Sequence, residues 1–282
     1  MDCTIEEFSS YLFITYSKPD DLKEPFLNFV NEENMYQILT GIESFYHMHP
    51  GGFDDIADKV DGKEQIMASK KNFMCFIMSR CLKLSENPTV FHFVLVCTIM
   101  CRIILVFFTT DECFKLVEMA SKCLTAVFYR QYVDVFKRID GFNGLSRFCR
   151  RLNASLDKPV RDLKEQTVRS IIKSQITDLI RRIKNVPDSN FSLNDFEKKL
   201  LYGRSDYKPI SHGGDVFLWP AQDILSQEDE ISLDFAMKNP DMYSEESLDR
   251  INKRCFWCRT KCSKYVLVLI KELGLCKTYV EM

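Results

Sequence analysis

Glycine and proline are scarce in this chain of 282 residues, at 10 and 9, and tryptophan occurs only twice. So few turn formers exclude a turn-rich all-β chain and a disordered one. An excess of one charge is also missing, because 38 Lys and Arg face 40 Asp and Glu. At a net charge of −2 the molecule as a whole does not attract a polyanion, so nucleic acid is not an expected partner. No nucleophile stands beside a base, no Gly-rich loop is spaced to hold phosphate, and no carboxylate pair has a defined setting. A catalytic role therefore has no complete motif behind it. The opening residues MDCTIEEFSS lack the basic and apolar regions of a secretory leader. That sets the expectation of an intracellular protein, cytoplasmic or nuclear.

What the chain has in quantity is apolar bulk: 46% hydrophobic residues, 22 of the total being Phe, enough to fill a helical core. Its centre is Val90 to Leu152. Val90 to Phe108 is apolar except for His92, Thr98 and Arg102, a length that could span a bilayer. A guanidinium near the middle of a spanning helix costs about 2.5–3.5 kcal/mol even on the most forgiving insertion scale. The run is therefore expected to be the buried central helix of a helical body, with no transmembrane segment, since a helix apolar on nearly every side belongs in a core.

Glu112 to Arg130 repeats apolar residues at helical spacing through Phe114, Val117, Ala120, Leu124 and Val127. Asp140-Gly141 and Asn143-Gly144 both read as turns. A third helix then places Leu145, Phe148, Cys149 and Leu152 inward and Arg147, Arg150 and Arg151 outward. Residues 112–152, with Gly141, Leu145 and Leu152 in matching places, resemble the helix, Gly-bearing bend and last helix of an armadillo repeat. The resemblance implies an all-α protein, an armadillo- or HEAT-like helical bundle or short solenoid. Expected are a helical domain over residues 1–185, an irregular acidic linker over 186–247 and a Cys-rich C-terminal helical segment over 248–282.

Towards the N-terminus, Ile5, Phe8, Leu12 and Tyr16 mark one helix face; Phe26, Phe29 and Val30 mark a second; Tyr36, Leu39, Ile42 and Phe45 or Tyr46 mark a third. Ile66, Phe73, Ile77, Cys81 and Leu84 mark a further one before Asn87-Pro88. Between them, SFYHMHPGGFDDIADKVDGKE resembles the haem-binding loop of cytochrome b5, which implies His49 as an axial iron ligand. Ligation needs a facing histidine and preceding strands. The next histidine is His92, 43 residues on and inside the apolar run, and the segment before the loop reads as helix. His49-Pro50-Gly51-Gly52 is accordingly expected to stop a helix, its glycines free to take positive φ.

Arg161 to Lys184 is an amphipathic helix whose expected buried face is Val168, Ile171, Ile172, Gln175, Leu179 and Ile183. From Arg147 to Lys184 eleven Lys or Arg oppose four Asp or Glu, a local +7. Such a face suits phosphate, an anionic membrane or an acidic protein segment. Asp223 to Asp249, with nine acidic residues and one Lys, is able to neutralise it. The reading with most behind it is a non-catalytic adaptor or scaffold that binds other proteins, acidic segments among them. Its candidate contacts are Arg147, Arg150, Arg151, Arg169 and Lys173, or an apolar knot containing Phe217 and Trp219.

Twelve cysteines complete the inventory. Eight lie in or beside apolar helical runs, where a free thiol acts as a small hydrophobe. Cys255, Cys258 and Cys262 cluster as RCFWCRTKC, and Cys276 follows fourteen residues after the last. A C-x2-C knuckle offers two of the four ligands that tetrahedral zinc needs, with Cys262 and Cys276 to complete the set. An intervening helix would hold Cys276 roughly 20 Å from Cys262 at about 1.5 Å per residue. Arg254, Arg259 and Lys261 would lower a thiol pKa, as redox work requires, though no βαβ context surrounds the pair. Inert thiols, zinc as the one candidate cofactor, and thiol–disulfide chemistry all remain open from the spacing.

Overall fold

The computed structural model describes residues 4–17, 32–58, 66, 69–111, 114–156, 163–188 and 191–202. Among these residues every element is a helix, so the fold class is all-α. In order they are α1 (Ile5–Ser17), α2 (Glu32–Met48), α3 (Pro50–Asp58), α4 (Lys70–Leu84), α5 (Val90–Asp111), α6 (Phe114–Val127), a π turn (Phe128–Tyr132), α7 (Val133–Ile139), α8 (Gly141–Leu156), α9 (Leu163–Lys184) and α10 (Asp195–Tyr202).

The apolar run becomes α5, and α1, α2, α3, α4 and α6 all pack on it. Every residue from Phe93 to Cys101 is buried. By length and composition α5 could also cross a membrane; most of that stretch is covered by other helices. Phe93 gathers a ring cluster, with centroids of Phe136 at 4.8 Å and Tyr132 at 5.0 Å, both edge-on. Phe8 of α1 joins it through Phe142 of α8 at 4.8 Å. Tilted and edge-on pairs like these add to the burial of the rings themselves.

Arg102 escapes the core sideways. Its Nε donates to Asp54 Oδ1 of α3 at 2.5 Å, and its guanidinium lies 4.9 Å from the ring centroid of Tyr46. Tyr46 Oη in turn donates to Asp54 at 3.4 Å. The neighbouring Asp55 accepts from Lys184 of α9 at 2.5 Å. Two adjacent carboxylates on the short α3 therefore tie the central helix to α9.

Several local expectations are corrected. The buried face of α2 is Met35, Ile38, Ile42 and Phe45, whereas Tyr36 is 61% exposed. α2 does end at Met48, but not by a glycine stop. Pro50 opens α3 at the position where a missing N–H is harmless. Gly51 and Gly52 sit inside that helix without positive φ, and a Cβ on Gly52 would collide with the His49 ring. The segment before the loop is helix, as the sequence implies.

Asp140 and Gly141 do form the bend, both left-handed at φ 70° and 60°. Asn143-Gly144 forms no turn. It lies in the first part of α8, where a Cβ on Gly144 would meet the Ile139 carbonyl. α8 can thus cross the end of α7 at backbone contact. Its inner face matches the expected one in Leu145, Cys149 and Leu152, with Phe148 half-buried. Against α2 it fits at Gly41, where an added Cβ would stand 2.9 Å from Cys149 Sγ. Beside that contact the buried Asn153 donates to the Gln37 carbonyl at 3.1 Å and accepts from Ser44 at 3.4 Å.

The helix expected to stop near Arg130 instead continues through the π turn into α7. Tyr132, fully buried there, shares a 2.8 Å hydrogen bond with Ser85, which itself donates to the Cys81 carbonyl at the end of α4. Past residue 185, α10 is fastened to the body. Asn194 and Glu197 cap each other reciprocally, each backbone N–H meeting the other's side-chain oxygen at 2.8 Å. Arg130 of the π turn pairs through two nitrogens with the Glu197 carboxylate and also reaches the Ser192 carbonyl at 2.7 Å.

Candidate basic interaction flank

The arginines of α8 stand outward because the spacing that buries Leu145, Cys149 and Leu152 leaves positions 147, 150 and 151 on the opposite side. Two of them are already engaged. Arg147 donates to Asp140 at 3.1 Å and to the Ile139 carbonyl at 3.0 Å; Arg150 donates to Glu33 of α2 at 2.8 Å. Exposed pairs of this kind are worth little and break readily. Among the described residues Arg151 has only the Arg147 carbonyl, at 3.3 Å.

On α9, Arg169 and Lys173 are one helical turn apart and share a flank. Arg169 donates to the Leu156 carbonyl, the last of α8, which brings that flank against the end of the arginine-bearing helix. It satisfies one of the carbonyls that a helix C-terminus leaves open, with a charge of the favourable sign. Lys173 is exposed and has no carboxylate partner among the described residues. The five cations expected from the sequence thus fall on two helices that meet at the Leu156 carbonyl, Arg151 and Lys173 being exposed with no acidic neighbour among the described residues.

The expected buried face of α9 is correct only in part. Ile183 is buried and Ile172 and Leu179 are half-buried, but Gln175 is exposed, Val168 is 43% exposed and Ile171 50%. Ile176 and Ile180 take their places in the core. Ile172 and Ile176 separate the basic flank from the exposed Val168 and Ile171. At the far end Arg182 stands near His92, whose pKa is held below its ordinary value by burial and then by that guanidinium.

Among the described residues no group of His, Cys, Asp and Glu is placed to hold a metal ion. The zinc or redox candidates Cys255, Cys258, Cys262 and Cys276 lie outside the described residues, as do Phe217 and Trp219. Of the other cysteines, Cys81, Cys97, Cys101, Cys123 and Cys149 are buried free thiols and Cys75 is half-buried. Burial pushes the Cys81 and Cys149 thiols up to about 12 and raises Cys97, Cys101 and Cys123 well above the ordinary value. Thiols so placed are packing groups and not nucleophiles. No family model, curated protein or solved structure matches the chain.

Proposed function

We propose that the protein is a non-catalytic adaptor, a body of stacked helices of the armadillo-like kind, working inside the cell. Its binding surface is the basic flank formed by Arg147, Arg150 and Arg151 of α8 with Arg169 and Lys173 of α9. The partner it suits is an acidic protein segment. The observation carrying this reading is that two helices in contact through Arg169 and the Leu156 carbonyl expose Arg151 and Lys173, neither of which has a carboxylate neighbour among the described residues. Charge on such a rim contributes to the rate and specificity of association more than to its strength.

The test is affinity purification from cells with the native chain and with Arg151→Glu plus Lys173→Glu. Both positions are exposed, so the fold is retained. A set of acidic-segment partners that falls away with the reversal supports the reading. An unchanged set of partners places the docking surface elsewhere.

A further inference from the structure

The surplus on the basic flank has a counterpart in the same chain. Residues 147–184 carry eleven cations and four carboxylates, and residues 223–249 carry nine carboxylates and one lysine. Within the helical body Asp140, Glu33 and Asp55 take up Arg147, Arg150 and Lys184. Arg151, Lys173 and Arg182 keep no carboxylate among the described residues. The chain runs on for 80 residues after Tyr202, the last residue described. Twenty residues separate Tyr202 from Asp223, and at most about 3.3–3.6 Å per residue gives them a reach longer than the diameter of such a body. The densest acidic run, Glu228-Asp229-Glu230, is followed by Ile231, Leu233 and Phe235, so the stretch brings apolar side chains with its charge.

We infer that the acidic stretch 223–249 docks in cis on the flank of Arg151 and Lys173, so that the binding surface is occupied by the chain's own carboxylates until a stronger acidic partner displaces them. This rests on the basic flank being a binding surface, and it adds a self-masked state. A tethered ligand of this kind competes at an effective concentration set by the linker, in the millimolar range for short flexible ones. Only a partner with more charge or better-fitting apolar contacts then gains access. Being electrostatic and exposed, the docking weakens with salt.

Carbodiimide cross-linking of the full-length protein tests it, because the reagent joins Lys173 Nζ to a carboxylate only where the two already touch. An equal mixture of ordinary and nitrogen-15-labelled chains separates contacts within one chain from contacts between chains by mass spectrometry. The expected result is Lys173 joined to a carboxylate between Asp223 and Asp249, in unmixed isotope pairs, lost at high salt and lost in Glu228→Gln, Asp229→Asn, Glu230→Gln. Lys173 joined only in mixed pairs, joined only to carboxylates outside 223–249, or left unmodified overturns the inference. A synthetic acidic peptide corresponding to residues 223–249, added at excess to the triple variant, keeps the two ideas apart. If it cross-links to Lys173 when the native chain does not, the flank binds acidic segments and the self-masking is what fails; if it does not either, the binding role itself falls.

Discussion

Replacing Gly41 by alanine normally helps a helix, by roughly 0.5–1 kcal/mol. Here the added methyl would stand 2.9 Å from Cys149 Sγ and 3.0 Å from its Cβ, and overpacking of this sort costs about 1–3 kcal/mol. Gly41→Ala is expected to be destabilising in urea titration, with part of the loss recovered in Gly41→Ala/Cys149→Ala. Asp54→Ala leaves Arg102 with the Tyr46 face alone. Because both partners are about a quarter exposed, the loss falls between surface and buried pairs, at about 1–2 kcal/mol. Adding Arg102→Met to Asp54→Ala is expected to restore stability, since an apolar chain there no longer needs an anion; a further loss would show that the cation itself matters. At this scale the sequence says little. That Arg102 interrupts an apolar helix is plain, but its partner lies 48 residues away, and pattern within one helix cannot name it.

Elements differ in how much of their packing they announce. The inner faces of α1 and α8 are legible because core lies along their whole length. α9 is not, because only its second half is covered, and periodicity shows which residues could be buried without showing where the cover ends. HPGG misleads for another reason: proline starts helices as readily as glycine ends them, and the ring of His49 needs the space at Gly52. The short α10 is held by a carboxylate whose side chain is 1% exposed and by the buried Leu201. Arg130→Ala strands that charge, a loss of about 3–5 kcal/mol if the site stayed closed. Release of the short helix is the cheaper route. Hydrogen exchange is expected to quicken over residues 195–202 while α5 keeps its protection; equal quickening in α5 would mean that α10 is part of the central cooperative unit.

For the molecule as a whole the buried thiols set an alkaline limit. Cys81 and Cys149 rise from 9.0 to about 12 on folding, and Cys97, Cys101 and Cys123 move the same way. The folded state keeps these protons after the unfolded chain has lost them. Their effect on stability is therefore absent below about pH 9, and stability falls as pH climbs from there towards about 12. Urea midpoints measured from pH 7 to 10.5 are expected to drop steeply above 9. Substituting Cys97 and Cys123 by alanine should flatten that slope whatever it does to the midpoint at pH 7. The all-α class and the charge imbalance of the basic flank are both visible in composition and spacing. Which cations remain unclaimed is not, because Glu33 meets Arg150 from 117 residues away and only the fold introduces them.

The π turn is a register mark as well as a bend. A turn of this kind holds one residue more than an α-helical turn, and at 3.6 residues per turn a single residue is worth about 100° of rotation. The wide turn takes up that extra residue, so the helix beyond it keeps nearly the orientation it would have with one residue fewer. Deleting Gln131 would therefore leave an ordinary α-helix with Phe136 still facing Phe93, whereas the same five residues wound as regular α-helix would carry Phe136 away from it. The bulge is what lets the chain hold one more residue here without losing the corner at Asp140 and Gly141.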